Sequence, residues 1–252
     1  MGSEPPVIAQ LREVSVDYRG RRAVGPVSLE LARNEIVALV GPSGCGKSTI
    51  LRLIAGLEAP TGGEIILGAG PGETSVVFQA PTLMPWASAA ANVALPLELS
   101  GVVKEVARGR ANEALSRVKL PDKGHYKPAQ LSGGMAMRVA LARALVSNPK
   151  LFLMDEPFAA LDEITRRALA DDVLTLWTAS GPSIVFVTHN VEEAVYMAGR
   201  VLVMTPAPGR LSGSVTVDAP IPRPADFRTS EVFRRSVEAV SRLLDAGQDA
   251  AA

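Results

Sequence analysis

The chain has 252 residues, with 26 Lys plus Arg against 26 Asp plus Glu and a formal net charge of +0. At roughly 150 residues per domain this allows one large domain or two small ones, and 47% hydrophobic with 21% charged residues excludes a disordered or collagen-like chain. The balance of charge shows no basic excess for nucleic acid, and one Cys with two His excludes a disulfide framework and disfavours a structural zinc site.

No run of about 18 apolar residues is present, so no membrane-spanning helix is expected. The start, MGSEPPVIAQ, lacks a cationic region followed by an apolar core and does not read as a secretory signal. Met1-Gly2 is followed by Pro6 where myristoylation wants Ser or Thr. The expectation is a soluble intracellular protein that meets membranes only through a partner.

In chain order, residues 7–17 and 23–31 alternate apolar with polar side chains, the pattern of half-buried strands. IVALV at 36–40 is a continuous apolar run that predicts a strand buried on both faces. A helix is expected over 47–56, then strands at 64–67 and 75–78. Residues 87–130 turn Ala-rich and helical, with breaks at Pro96, Gly101 and Pro121. With the helix expected at about 133–147 they read as a helical insert, about 87–147, in an α/β core. LFLM at 151–154 and SIVFV at 183–187 predict further buried strands, with helices at 163–179 and 191–198 and a strand at 200–204. The Pro/Gly-rich stretch 206–224 reads as turns around one more strand, and 231–247 as a terminal surface helix. A single domain over 7–217 is expected, followed by a tail over 218–252.

GPSGCGKST at 41–49 fits G-x-x-x-x-G-K-[ST] after a buried strand and at the start of a helix. Gly41, Gly44 and Gly46 let the backbone curl, with Pro42, Ser43 and Cys45 between them, so that N–H groups face phosphates. The helix N-terminus adds positive potential. Lys47 can reach the β- and γ-phosphates, Ser48 is a suitable Mg²⁺ ligand, and Thr49 can meet the α-phosphate region. Cys45 reads as a small loop residue, with a redox switch as the alternative. GAGPG at 68–72 does not complete G-x-G-x-x-G, because Glu73 takes the last position, and reads as a turn.

LFLMDEPFAALD at 151–162 ends an apolar strand on two acids. The carboxyl edge of an open parallel sheet is where ligands bind, which places Asp155 to hold Mg²⁺ and Glu156 to orient or deprotonate a water. Asp162 fits a helix N-cap as well as a functional contact. LSGGM at 131–135 opens a long helical run, so Ser132 and the N–H groups around Gly133 and Gly134 can meet a second anion. One phosphate loop and a second anion site suggest a nucleotide held between two chains.

With these motifs in place the chain resembles the ATP-binding subunit of an ABC transporter, from about residue 7 to about 217. The phosphate loop, Gln79, LSGGM, LFLMDEP, AALD at 159–162 and His189 after SIVFVT occur in the family's order. The resemblance implies a P-loop NTPase core with an N-terminal antiparallel β subdomain and a helical insert. It implies that Tyr18 stacks on adenine, that Gln79 touches Mg²⁺ and water, and that Ser132, Gly133 and Gly134 contact ATP on the other subunit. Asp155 becomes the magnesium carboxylate, Glu156 the general base, His189 the γ-phosphate switch and Asp162 the turn at the dimer contact. His125 matches nothing and reads as a surface residue. The implied cofactors are ATP and Mg²⁺. The implied partners are a second copy, two transmembrane permease subunits and an external solute-binding protein, at the cytoplasmic face of the inner membrane and without nucleic acid. The alternatives are the ATPase subunit of another ABC transporter branch, for export or amino-acid import, and a non-transport ABC ATPase, the latter disfavoured by the single cassette, the short insert and the neutral charge.

FQAPTLMPWASAAANVALPL at 78–97 and TPAPGRL at 205–211 resemble the nitrate, sulfonate and taurine importer branch. Ala80 stands where that family usually has an acid and Met137 where it commonly has a glutamine, a loss that would weaken the contact between subunits. Leu83, Met84, Pro85 and Trp86 form either a groove for the membrane partner or a patch buried against the insert.

Overall fold

The computed structural model describes residues 7–249. Two sheets organise the chain. β1 (Val7–Tyr18), β2 (Arg21–Ala32) and β4 (Gly62–Leu67) form an antiparallel sheet in the order β2-β1-β4. The hairpin between β1 and β2 turns on Arg19 and Gly20, both at positive φ, so the strands run further into the turn than their apolar pattern shows.

β3 (Ile36–Val40), β5 (Thr74–Val77), β6 (Leu151–Asp155), β7 (Ser183–Thr188), β8 (Arg200–Met204) and β9 (Leu211–Thr216) form the second sheet in the order β5-β6-β7-β3-β8-β9. All its neighbours are parallel except β9, which closes the edge antiparallel to β8. The central strands are apolar on both faces because both are covered. Ile36, Ala38 and Val40 enter a core shared with Phe158, Leu169 and Val195. Val37 and Leu39 enter one shared with Leu11, Val27 and Ile50.

Seven α-helices surround these sheets among the described residues: α1 (Lys47–Ile54), α2 (Ala89–Leu99), α3 (Lys104–Arg117), α4 (Gly133–Leu145), α5 (Glu163–Ser180), α6 (Val191–Met197) and α7 (Glu231–Asp249). The break expected at Pro96 does not occur, since Pro96 lies inside α2. An internal proline costs about 3 kcal/mol, and here the helix survives because Val93, Ala94 and Leu97 on either side are fully packed with Leu115 and Val139 of α3 and α4. The amphipathic α7 lies on the surface with Phe233 and Val240 buried against the sheet's core.

The register sets up the site. Val77 pairs with Met154, Asp155 with Val187, and Val40 with Thr188. The C-terminal ends of β5, β6, β7 and β3 therefore stand side by side, and each leads into one of the sequence motifs.

Candidate functional site

The loop after β3 enters α1 through Gly46, whose φ of 97° is left-handed and whose missing side chain leaves the first-turn N–H groups without a cap. A Cβ there would sit 2.2 Å from Val24 Cγ2, so only glycine fits. Lys47 is 5% exposed. Its ammonium donates to the carbonyls of Gly41 (2.8 Å) and Pro42 (3.0 Å), folding back over its own loop. Ser43 and Gly44 are exposed, and Thr49 is half-buried. Cys45 is fully buried and burial pushes its thiol pKa up, which keeps it a thiol and rules against the redox reading.

From the adjacent strand ends come the acids. Ser48 Oγ donates to Asp155 Oδ1 at 2.8 Å. Asp155 is 9% exposed, and burial raises its pKa against the lowering pull of that hydrogen bond. Glu156 sits in the left-handed region at φ 45°, a sparsely populated conformation for a residue with a Cβ. Its N–H donates to Val187 O at 2.9 Å, which ties the turn to β7. Its carboxylate is thereby held 3.1 Å from Nδ1 of His189, the residue following β7. A hydroxyl and a carboxylate 2.8 Å apart are hard oxygen donors suited to a small divalent cation that keeps its remaining positions for phosphate and water. Among the described residues Asp155 has no cationic partner within ion-pair distance, so the donor set fits Mg²⁺. No group of three or more metal-ligating side chains gathers among those residues.

Gln79 is exposed just past β5, beside the end of β6. Tyr18, 46% exposed, ends β1. Its hydroxyl donates to Glu58, whose carboxylate raises the phenol pKa, and it lies beside Thr49. Lys47, Ser48, Asp155, Glu156 and His189 thus share one sheet edge, with Gln79 and Tyr18 flanking it.

Ser132, Gly133 and Gly134 stand apart. Ser132 caps α4 by accepting from Met135 N at 3.3 Å, and both Ser132 and Gly133 are exposed. A Cβ on Gly134 would lie 2.7 Å from Thr165 Cγ2, so the glycine seats α4 against α5. Thr165 in turn donates to Asp162 Oδ2 (2.6 Å), and Asp162 Oδ1 accepts from Thr165 N (3.0 Å), making Asp162 the N-cap of α5. Met137 is 2% exposed and packs inside the main core, so its side chain faces inward. The Leu83–Trp86 segment divides between its two readings. Leu83 packs inward, whereas Trp86 is 74% exposed.

Several side chains that shape the site were not singled out from sequence. Arg143 of α4 donates to Pro81 O and Thr82 O, both at 2.8 Å, holding the loop after Gln79. Buried Asn92 binds the Met84 N–H and carbonyl from the other side. Glu193 accepts from Thr188 Oγ1 at 2.7 Å and lies 3.2 Å from Arg166 Nε. A buried-looking polar residue inside an apolar helix was the only signal for Asn92. Arg143 looked like one of many helical cations.

Comparison with known proteins agrees with this geometry. The family model described as "ABC transporter" matches residues 24–159. The chain is 44% identical to the taurine import ATP-binding protein TauB of Yersinia pestis, over 77% of this chain and 78% of that protein. It is 43% identical to the aliphatic sulfonates import ATP-binding protein SsuB of Rhodopseudomonas palustris, over 98% of this chain and 88% of that one. A solved dimeric ATP-binding cassette in a post-hydrolysis state, bound to ADP and Pi, superposes with a TM-score of 0.74 at 32% identity, covering 83% of this chain and 98% of its own.

Proposed function

The chain belongs to the ABC transporter ATP-binding family, and from that premise we propose that it is the ATP-hydrolysing subunit of a membrane importer of small solutes, of the taurine and aliphatic-sulfonate type. The observation that carries the chemistry is the Glu156–His189 pair at 3.1 Å beside the Ser48–Asp155 pair at 2.8 Å on one sheet edge. The likeness to the taurine and sulfonate import proteins supports the branch.

On this reading the triphosphate lies along the uncapped start of α1. Lys47 leaves the carbonyls of Gly41 and Pro42 for the β- and γ-phosphates, exchanging neutral acceptors for anionic ones. Gly44, Gly46 and the N–H groups of Ser48 and Thr49 cradle the phosphates, and Tyr18 offers its ring to adenine. Ser48, Asp155 and Gln79 would hold Mg²⁺, which would supply charge neutralisation to the triphosphate. Glu156 accepts the proton of the attacking water, and His189 holds the γ-phosphate while keeping the Glu156 carboxylate in place. The strained φ of Glu156 fixes its carboxylate before substrate arrives.

The start of α4 serves ATP on a second copy of the chain. Two copies close head-to-tail, with Ser132, Gly133 and Gly134 of each facing the γ-phosphate of the other and the Asp162 turn, beside the 83%-exposed Ile164, at the seam. The permease subunits meet exposed apolar side chains at the insert and the loop leading into it, namely Trp86, Leu99 (80% exposed) and Val103 (63%). No helix among the described residues is long and apolar enough to cross a membrane; the subunit works at the cytoplasmic face through those permease partners, with an external protein delivering the solute.

The test is Glu156→Gln. ATP affinity is retained, kcat falls by about 10³-fold, and MgATP converts the chain to a stable dimer in analytical ultracentrifugation. Hydrolysis at the wild-type rate would refute the assignment.

A further inference from the structure

His189 is followed at once by Asn190, the N-cap of α6, a helix of seven residues. A helix this short does not hold itself in water, so its neighbours decide where it stands. At its start, Asn190 Oδ1 accepts from Glu193 N at 3.1 Å and Thr188 Oγ1 accepts from Asn190 N at 3.0 Å. Glu193 reaches back to Thr188 and across to Arg166 of α5.

Its far end is held differently. The last carbonyls of any helix lack intrahelical donors. Here they receive one side chain from the C-terminal segment. Arg223 donates to Val195 O (3.2 Å), Tyr196 O (2.8 Å) and Ala198 O (2.5 Å). Its remaining nitrogen donates to Ala219 O at 2.7 Å, and the guanidinium stacks 4.6 Å from the Phe227 ring. Arg223 is 8% exposed and, among the described residues, pairs with no carboxylate. Burial lowers its pKa to about 10, which leaves it charged at neutral pH. Withdrawing a guanidinium from water is expensive; the carbonyls at a helix C-terminus, carrying the negative end of the dipole, are what compensates it. Arg228, from the same segment, lies 3.4 Å over the Tyr196 ring, and Tyr196 Oη donates to Asp171 of α5 at 2.5 Å.

We propose that the C-terminal segment is a clamp on α6, with Arg223 a positioning residue that fixes His189 relative to Glu156. This deepens the function proposed above, on which it depends only for its effect on turnover. The planar fork of Arg223 engages the carbonyls of residues 195, 196 and 198 together, a geometry that a lysine does not reproduce.

The chain has two histidines, so ring C–H resonances report His189 directly, with His125 in the insert as internal control. In the full-length Arg223→Lys variant the His189 resonance shifts or broadens while that of His125 stays. The kcat for ATP falls about tenfold, and KM stays within about twofold. Should Arg223→Lys not fold, Arg228→Ala, whose side chain is partly exposed, carries the same readout with a smaller shift. A His189 resonance unchanged in the folded variant overturns the clamp. So does a kcat loss that vanishes at a temperature where the variant is fully folded. If wild-type and His189→Ala chains hydrolyse ATP equally, the role of His189 fails, and the resonance still decides the clamp.

Discussion

Two helices in this chain begin at glycines in the manner of anion sites, and they are furnished in opposite ways. The start of α1 has Gly46 as an uncapped N-cap, a buried lysine folded over the loop and a carboxylate–hydroxyl pair beside it. The start of α4 is exposed and capped by its own Ser132, and its nearest neighbours are Met135 and Thr165. The first is a site within one chain. The second, on the proposed reading, is half a site that meets an anion held by a second copy. Glycine and a helix N-terminus provide donors, while the surrounding side chains decide whether one chain furnishes the rest of a site around them.

The largest expected effect separates the two directly. Lys47→Ala lowers MgATP affinity of the chain by about 100-fold, or about 3 kcal/mol, whereas Ser132→Ala costs about 1 kcal/mol of stability through the lost cap and leaves single-chain affinity in place. Calorimetric titration of both variants checks this. Equal affinity losses would erase the distinction.

Gly134 sharpens the comparison at an intermediate scale. Gly134→Ala puts a Cβ 2.7 Å from Thr165 Cγ2 and destabilises the chain by about 1–2 kcal/mol. Adding Thr165→Ser removes the clashing methyl and keeps the hydroxyl on Asp162, so the melting temperature returns most of the way. If it does not return, the close approach of α4 and α5 is not what the glycine serves.

The smallest effect concerns Asp155. Its folded pKa is raised by burial, so rising pH ionises the unfolded chain first and favours unfolding. Its unfavourable contribution to stability is absent below the ordinary carboxylate pKa and complete above the raised folded one. Asp155→Asn therefore raises the melting temperature of the nucleotide-free chain at pH 7 while abolishing hydrolysis, with a gain of about 1 kcal/mol or less. The gain shrinks as pH falls towards 4. A lower melting temperature would mean that the charge is already compensated.

Much of this was legible in sequence because the parallel strands are short, apolar on both faces and each followed by its own motif. What could not be read was strand order. β3 comes third in the chain, yet it lies between β7 and β8, and only this permutation sets the phosphate loop beside His189 and the Asp155–Glu156 pair. The continuation of α2 through Pro96 was hidden because it depends on packing from α3 and α4, remote in sequence. The inward face of Met137 is not legible because a helix start alone does not show which side packs on the core. The supporting polar groups Asn92, Arg143 and Arg223 act through backbone carbonyls and amides, which leave no pattern in the residue types, and Glu193 acts through the side chains of Thr188 and Arg166, which only the fold brings together.

The most direct test of the central claim mixes two inactive chains, Glu156→Gln and Ser132→Arg. If the start of α4 serves the nucleotide of a partner, a mixed dimer contains one site with both defects and one with neither. Random pairing then restores about a quarter of wild-type ATP hydrolysis. If each chain completes its own site, mixing restores nothing, and that result would contradict the account.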